Sequence, residues 1–278
     1  MHTLLLTARH DRLLNAPFKQ KPISGYLDSR SRVLDLGCGT GLWLLDMARR
    51  YRDTEFVGID LAGMGPDTLL PNVEMRWPYD YESPWSLGEQ SWDVIHLQMA
   101  LGSVANWPML YRRIMDHLRR GTGYFEQVEI DLTPRCDDGT LPEGALRVWY
   151  DHLAGATSTV NRSIAYNPRV GDLLQQAGFV DIKEEKIILP LNGWPADQHA
   201  RRMGWWYNVA LSAGLKNDGC YGLEAMSLAP LTRIYQWPVD HVRRLCSDAL
   251  LQVNDPEVHA YHVLHIWTAR SPYPDERR

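Results

Sequence analysis

Residues 32–41 read Arg32-Val33-Leu34-Asp35-Leu36-Gly37-Cys38-Gly39-Thr40-Gly41. Val33 to Leu36 is a short apolar run of strand character, broken by glycines at alternate positions. Leu42-Trp43-Leu44-Leu45-Asp46-Met47-Ala48 then reads as a helix. A strand, a glycine turn and a helix in succession form the first unit of a nucleotide-binding α/β fold. Glycine lets the backbone turn sharply and lets a ligand lie against bare main chain, with helix N-terminal amides facing it.

A dinucleotide fingerprint places glycines at the first, third and sixth positions, and counted from Gly37 the sixth is Leu42. Here the glycines are Gly37, Gly39 and Gly41, and Asp35 precedes them by two residues. A carboxylate at that point suits a ligand with a cationic head better than a pyrophosphate. S-adenosylmethionine has such a head, an ammonium and a sulfonium without phosphate. Phe56-Val57-Gly58-Ile59-Asp60 is a second strand, ending in an acid nineteen residues beyond Gly41. A carboxylate there is placed to accept both ribose hydroxyls.

The 278 residues are 45% apolar and 23% charged, ordinary globular values that allow a sizeable core. A net charge of −5 argues against a broad nucleic-acid-binding surface. The paired arginines, such as Arg112-Arg113 and Arg243-Arg244, read as solvated helix faces. Cys38, Cys136, Cys220 and Cys246 make no C-x-x-C pair, so neither zinc site nor disulfide framework is suggested. Leu4-Leu5-Leu6 is too short for a signal peptide or membrane span, and the cytoplasm, or the nucleus, is the expected compartment.

Residues 1–29 read as an N-terminal helical segment covering the cofactor, and 30–278 as the main domain. Pro71 to Arg76 suggests a third strand, Trp92 to Leu97 a fourth and Tyr124 to Glu129 a fifth. Asn106, with Pro108 just inside, caps a helix running to Leu118. Helices are expected from about Gly144 to Thr159 and from an Asn167-Pro168 cap to Gly178. Phe179 to Leu189 and His262 to Arg270 read as the last two strands. Between them, at about 190–255, lie helices rich in Trp, Met and Leu, expected to form a lid. His259, His262 and His265, at spacings of three, read as a polar stripe beside the last strand rather than as metal ligands.

With these residues in hand, the chain resembles the class I S-adenosylmethionine-dependent methyltransferases, and more narrowly the fungal LaeA-like methyltransferases. Residues 33–41, 56–61 and 92–97 carry the likeness to the superfamily. Gly102-Ser103-Val104, Asp137-Asp138-Gly139-Thr140-Leu141, Gly193-Trp194-Pro195 and Val258-His259-Ala260-Tyr261 carry the likeness to the fungal group. The resemblance implies a Rossmann-like, doubly wound seven-stranded sheet with its last strand antiparallel. It implies that Asp35, Gly37, Gly39 and Gly41 border the methionine part, Asp60 with Leu61 the ribose, and Asp80 with Tyr81 the adenine. Gln98 and Met99 would line the cofactor on the substrate side. Two departures stand out. Where the family has two acids in the adenine loop, Tyr79-Asp80 keeps the second alone. Its Lys-Pro-Gly before strand five is Arg120-Gly121-Thr122-Gly123 here.

Methyl transfer needs an aligned, desolvated nucleophile, and a general base only for acceptors such as hydroxyls or amines. Strand four leads into His96-Leu97-Gln98-Met99, not into the Asn/Asp-Pro-Pro-aromatic motif of nucleobase methyltransferases, so DNA and RNA are not expected substrates. The polar groups expected near the transfer point are His96, Gln98 and Glu129. Against them stands a plain packing role for His96 and an arginine partner for Glu129. Trp205-Trp206-Tyr207 spans most of a helix's circumference, so at least one ring is expected to leave the core and reach the substrate.

Three functions follow. The leading expectation is a methyltransferase of a small, largely apolar metabolite in secondary metabolism. The alternative is a nuclear regulator of secondary metabolism working through protein partners. A third is a cofactor-assisted enzyme that transfers no methyl group. The expectation favours the metabolite enzyme because a regulator would carry partner-binding tails, and few residues flank the domain.

Overall fold

Strand β1 (Arg32–Leu36) sits inside a seven-stranded sheet of order β3-β2-β1-β4-β5-β7-β6. The computed structural model describes Leu27, residues 30–212 and residues 222–276. The other strands are β2 (Glu55–Ile59), β3 (Val73–Arg76), β4 (Val94–Gln98), β5 (Tyr124–Arg135), β6 (Val180–Pro190) and β7 (Tyr261–Arg270). The first five run parallel, while β7 runs antiparallel between β5 and β6. This is the class I methyltransferase arrangement, with the reversed last strand. The segment 1–29 lies outside the described residues except for Leu27.

Both faces of β1, β2 and β4 are covered, which explains their unbroken apolar runs. Val33, Phe56 and Val94 pack against helix α1 (Leu42–Arg50) through Trp43, Leu44 and Met47. One residue on, Leu34, Val57 and Ile95 face helix α2 (Trp107–His117) through Leu110 and Ile114. Asn106 Oδ1 caps α2 by accepting the Met109 N–H at 3.1 Å, with Pro108 in the first turn.

β5 extends well beyond the expected Glu129. Its pairing with β4 ends at Val128, but its pairing with β7 continues, so the far half is held from one side. Onto this extension pack helices α3 (Ala145–Thr159), α5 (Gln198–Ser212), α6 (Gly222–Arg233) and α7 (Val239–Asn254). A buried hydrogen bond ties two of them, Trp149 Nε1 donating to Ser227 Oγ at 2.7 Å. Helix α4 (Val170–Ala177) starts later than the Asn167-Pro168 reading. Asn167 Oδ1 accepts the Arg169 N–H, forming a turn before the helix rather than its cap.

Candidate functional site

Three cavities meet where the chain leaves β4. The first, about 330 Å³, lies over the C-terminal ends of β1, β2 and β4. Its floor is the glycine loop, where Gly37, Gly39 and Gly41 all have positive φ, from +57° to +75°. A side chain on Gly37 would also crowd the Tyr81 ring, 3.3 Å from an added Cβ. Asp35, Gly37 and Gly39 line this cleft from one side, Asp60, Leu61, Asp80 and Tyr81 from another, and Gln98 and Met99 from a third. Gly41 is not in the wall. It caps α1 and abuts Met75, because the loop has already turned into the helix.

The acids of the cleft differ in state. Burial pushes the Asp35 carboxyl up to about 6, with His96 partly opposing and Asp60 adding repulsion. A cationic ligand head would relieve that cost, so Asp35 fits an ammonium-bearing cofactor. Asp60 is buried and accepts two backbone N–H bonds, from Gly39 and Ala62, both at 2.9 Å. A carboxylate has about four acceptor positions, so two remain for ribose hydroxyls. Asp80 is exposed and shapes its own turn by accepting from Glu82 N–H and Ser83 Oγ. The cleft thus carries a bare-backbone cradle and carboxylates, and it fits S-adenosylmethionine.

The expected catalytic set separates. Gln98 lines the cleft, while His96, two residues earlier on the same face of β4, lies one layer deeper beneath α1, its Nε2 3.4 Å from Gln98 Oε1. There it stacks on Trp43 at 3.8 Å and bonds Glu126 Oε1 at 3.1 Å. Burial works to lower its pKa, but the bond to Glu126 and the charge of Asp35 outweigh it and raise the imidazole above its ordinary value. Among the described residues Glu129 has no arginine partner. Fully buried, it accepts the Ala100 N–H at 3.0 Å and the Leu101 N–H at 3.3 Å, and borders a separate polar cavity of about 290 Å³.

The remaining cavity, about 310 Å³, lies among β5, α3, α5 and α6. Its wall is mostly apolar, with Ile130, Leu132, Ile164, Met226 and Ala229 prominent, and its charged residues are Arg162 and Arg233, neither of which can act as a base. It shares Met99, Gly102 and Arg162 with the cofactor cleft. The expected aromatic triplet divides here. Tyr207 lines the cavity, its hydroxyl sharing a 2.7 Å hydrogen bond with His262 Nδ1. Trp205 and Trp206, 58% and 51% exposed, stand outside it, because successive helical positions are about 100° apart and Tyr207 takes the inward one. Trp205 lies over Gly193 instead. His262 and His265 are three apart on a strand and so fall on opposite faces of β7, with His265 bonded to Glu184.

Sequence reasoning missed Trp43 as cleft wall, and Arg162 and the α6 alanines as cavity wall. Gly102 and Ser103 were visible only as part of a motif of the fungal group. Arg162 carries no local signal, being placed by its ion pair with Glu82, eighty residues away.

A family model described as "Methyltransferase domain" matches residues 8–184. The chain is 47% identical to the secondary metabolism regulator LAE1 of Cochliobolus heterostrophus, over 98% of this chain and 85% of that protein. It is 46% identical to the protein-methionine methyltransferase laeA of Emericella nidulans, over 98% of this chain and 68% of that protein. Among solved structures it is similar to phosphoethanolamine N-methyltransferase 2 of Haemonchus contortus in complex with S-adenosylhomocysteine. There the TM-score is 0.51 at 14% identity, covering 96% of this chain and 58% of that one, a likeness of fold.

Proposed function

The chain belongs to the S-adenosylmethionine-dependent methyltransferases, in the LaeA family, and from that premise we propose that it regulates secondary metabolism by methylating a protein side chain. The names of its relatives support this over the expected small metabolite: regulators of secondary metabolism, and one protein-methionine methyltransferase. Few flanking residues are a weak ground for the metabolite reading, because LAE1 matches over most of its own length.

The observation that carries the reading is the chemistry of the apolar cavity beside Met99. Among the described residues its wall has no carboxylate, histidine or lysine. Its phenol, Tyr207, is pushed far above the usual range by burial and is bonded to His262, which burial lowers to about 3. Such a wall suits an acceptor with a lone pair and no proton to lose, and a methionine thioether is one. Hydroxyl and amine acceptors would call for a base there.

Bound S-adenosylmethionine supplies a methyl group activated by a positively charged sulfur. The chain's residues bind and orient. Asp35 would face the ammonium, Asp60 would accept the ribose hydroxyls, and Tyr81 with Asp80 would border the adenine. Met99 and Gly102 form the seam across which an acceptor sulfur is brought in line. There the acceptor sulfur's lone pair would form the new carbon–sulfur bond as the bond between the methyl group and the cofactor's sulfur breaks. S-adenosylhomocysteine would leave uncharged at that sulfur, the positive charge would pass to the acceptor, and no proton would move. The apolar wall keeps water from the seam. Among the described residues no helix is long and apolar enough to cross a membrane, and a nuclear site of action is part of the proposal.

The test is to incubate the protein with methyl-labelled S-adenosylmethionine and a fungal extract split into protein and small-molecule fractions. Label on methionine in the protein fraction, found by peptide mass spectrometry, is expected. Label confined to small molecules would return the metabolite reading.

A further inference from the structure

We infer that Glu129 is a positioning residue for the methyltransferase: its carboxylate fixes the backbone at Ala100 and Leu101, and through it the Gln98–Gly102 segment that walls both the cofactor cleft and the apolar cavity. The segment is built to need such a hold. β4 ends at Gln98, and Met99 donates one last bond, to Val128 O at 2.9 Å. Met99 then adopts φ +54°, a left-handed conformation uncommon for a side-chain-bearing residue, and the chain swings away from the sheet. The next two amides, Ala100 and Leu101, point back to the two oxygens of Glu129, one each. Gln98, Met99 and Ala100 face the cofactor side, and Met99, Leu101 and Gly102 the acceptor side. One buried carboxylate therefore sets the wall between two reactants.

The hold depends on charge. An ionised carboxylate accepts at both oxygens, whereas a protonated one carries a hydrogen on one of them and gives up a good acceptor. Burial pushes Glu129 up to about 7, against the Ala100 and Leu101 amides and Gln127, which pull it down. Among the described residues, its surroundings on every side are weakly charged. On β5 itself stand Gln127, bonded at 3.4 Å, and Asp131, paired with Arg135. From α2 comes Tyr111, whose hydroxyl donates to Gln127 at 2.8 Å. Tyr166 lines the same cavity, and Tyr81 feels the Glu129 charge from the adenine loop. Across on β7 its register partner is His265, engaged with Glu184 of β6. Among the described residues, no lysine or arginine bonds the carboxylate.

The sign follows by linkage. Cofactor needs the held segment, so it favours ionised Glu129, and affinity rises with pH through 7 and levels above it. Calorimetry with S-adenosylhomocysteine is expected to show affinity falling about fourfold from pH 8 to pH 6.5. Glu129→Gln, which offers one acceptor and places a donor against an amide, is expected to bind more weakly at pH 8 and to lose that slope. Asp35, titrating near 6, acts mainly below this window and keeps its own step in the variant. A second measurement needs no variant. With alanine and leucine nitrogens labelled, the Ala100 and Leu101 amide resonances should titrate near pH 7 and shift their midpoint downward when S-adenosylhomocysteine saturates the protein. A flat wild-type affinity across pH 7, a wild-type slope retained in Glu129→Gln, or amides that do not titrate would each overturn the assignment.

Discussion

The cofactor cleft and the apolar cavity are of nearly equal size and share a seam, yet they are made in opposite ways. The cleft is built mainly from short sequence segments that follow the parallel strands β1 to β4, and its proposed function rests on particular groups: bare glycine backbone, Asp35, Asp60. The cavity is a space left between four elements drawn from Met99 to Ile234, and its function rests on what is absent from its wall. Polar recognition requires one residue type at one place. An apolar wall tolerates many residues of similar volume. The first kind of site is therefore specified residue by residue, and the second by shape alone.

The largest expected effect would separate the two. Ala229→Phe puts a ring into the cavity from α6, away from the cleft. Methyl transfer should fall on the order of a hundredfold through acceptor misplacement, while S-adenosylhomocysteine affinity, read by calorimetry, stays near wild type. Equal loss of both would mean that the two cavities are one site.

A smaller effect tests the cleft in two opposite directions. Folding raises the Asp35 pKa to about 6, so its contribution to stability is present below its unfolded value, near 4, and is lost as pH rises through 6. At pH 7 the ligand-free protein carries the cost of a buried charge. Asp35→Asn should then raise its unfolding free energy by about 2 kcal/mol, measured by denaturant titration, and at the same time weaken S-adenosylhomocysteine binding. A variant both less stable and unchanged in binding would remove Asp35 from the cofactor's surroundings.

The smallest effect concerns the outer face of α5. Trp205→Ala and Trp206→Ala, singly, should change stability by no more than about 0.5–1 kcal/mol, as for exposed positions, and leave methyl transfer at its wild-type rate. A strong loss of transfer from either would bring that face into the acceptor site.

How much of this was legible in the sequence follows the same division. The glycine loop, Asp35 and Asp60 stand out because strand, turn and acid recur at fixed spacings that the chemistry demands. The seven strands were readable from apolar runs, whereas the length of β5 was not, since its far half depends on β7 more than 120 residues later. That His96 lies beneath the cleft wall rather than in it depends on Trp43, which stacks over it from α1, a contact that the β4 segment itself does not signal. Trp205-Trp206-Tyr207 signalled that some ring must leave the core, but which one turns inward is fixed by the His262 partner on β7. Glu129 was noticed for its charge. Its bonds to backbone amides leave no trace in side-chain identity, so the positioning role proposed for it is not legible in the sequence.

The placement of β7 bears on how the protein comes to be made. β5 and β6 do not pair with each other; β7 lies between them and hydrogen-bonds to both. As the chain emerges from the ribosome, β5 and β6 are complete well before Tyr261, and each must wait with an unpaired edge. Such edges invite pairing with other chains. The Lys183-Glu184-Glu185-Lys186 run in the middle of β6 puts charge on the strand that waits, the kind of guard that keeps a nascent edge from joining a stranger.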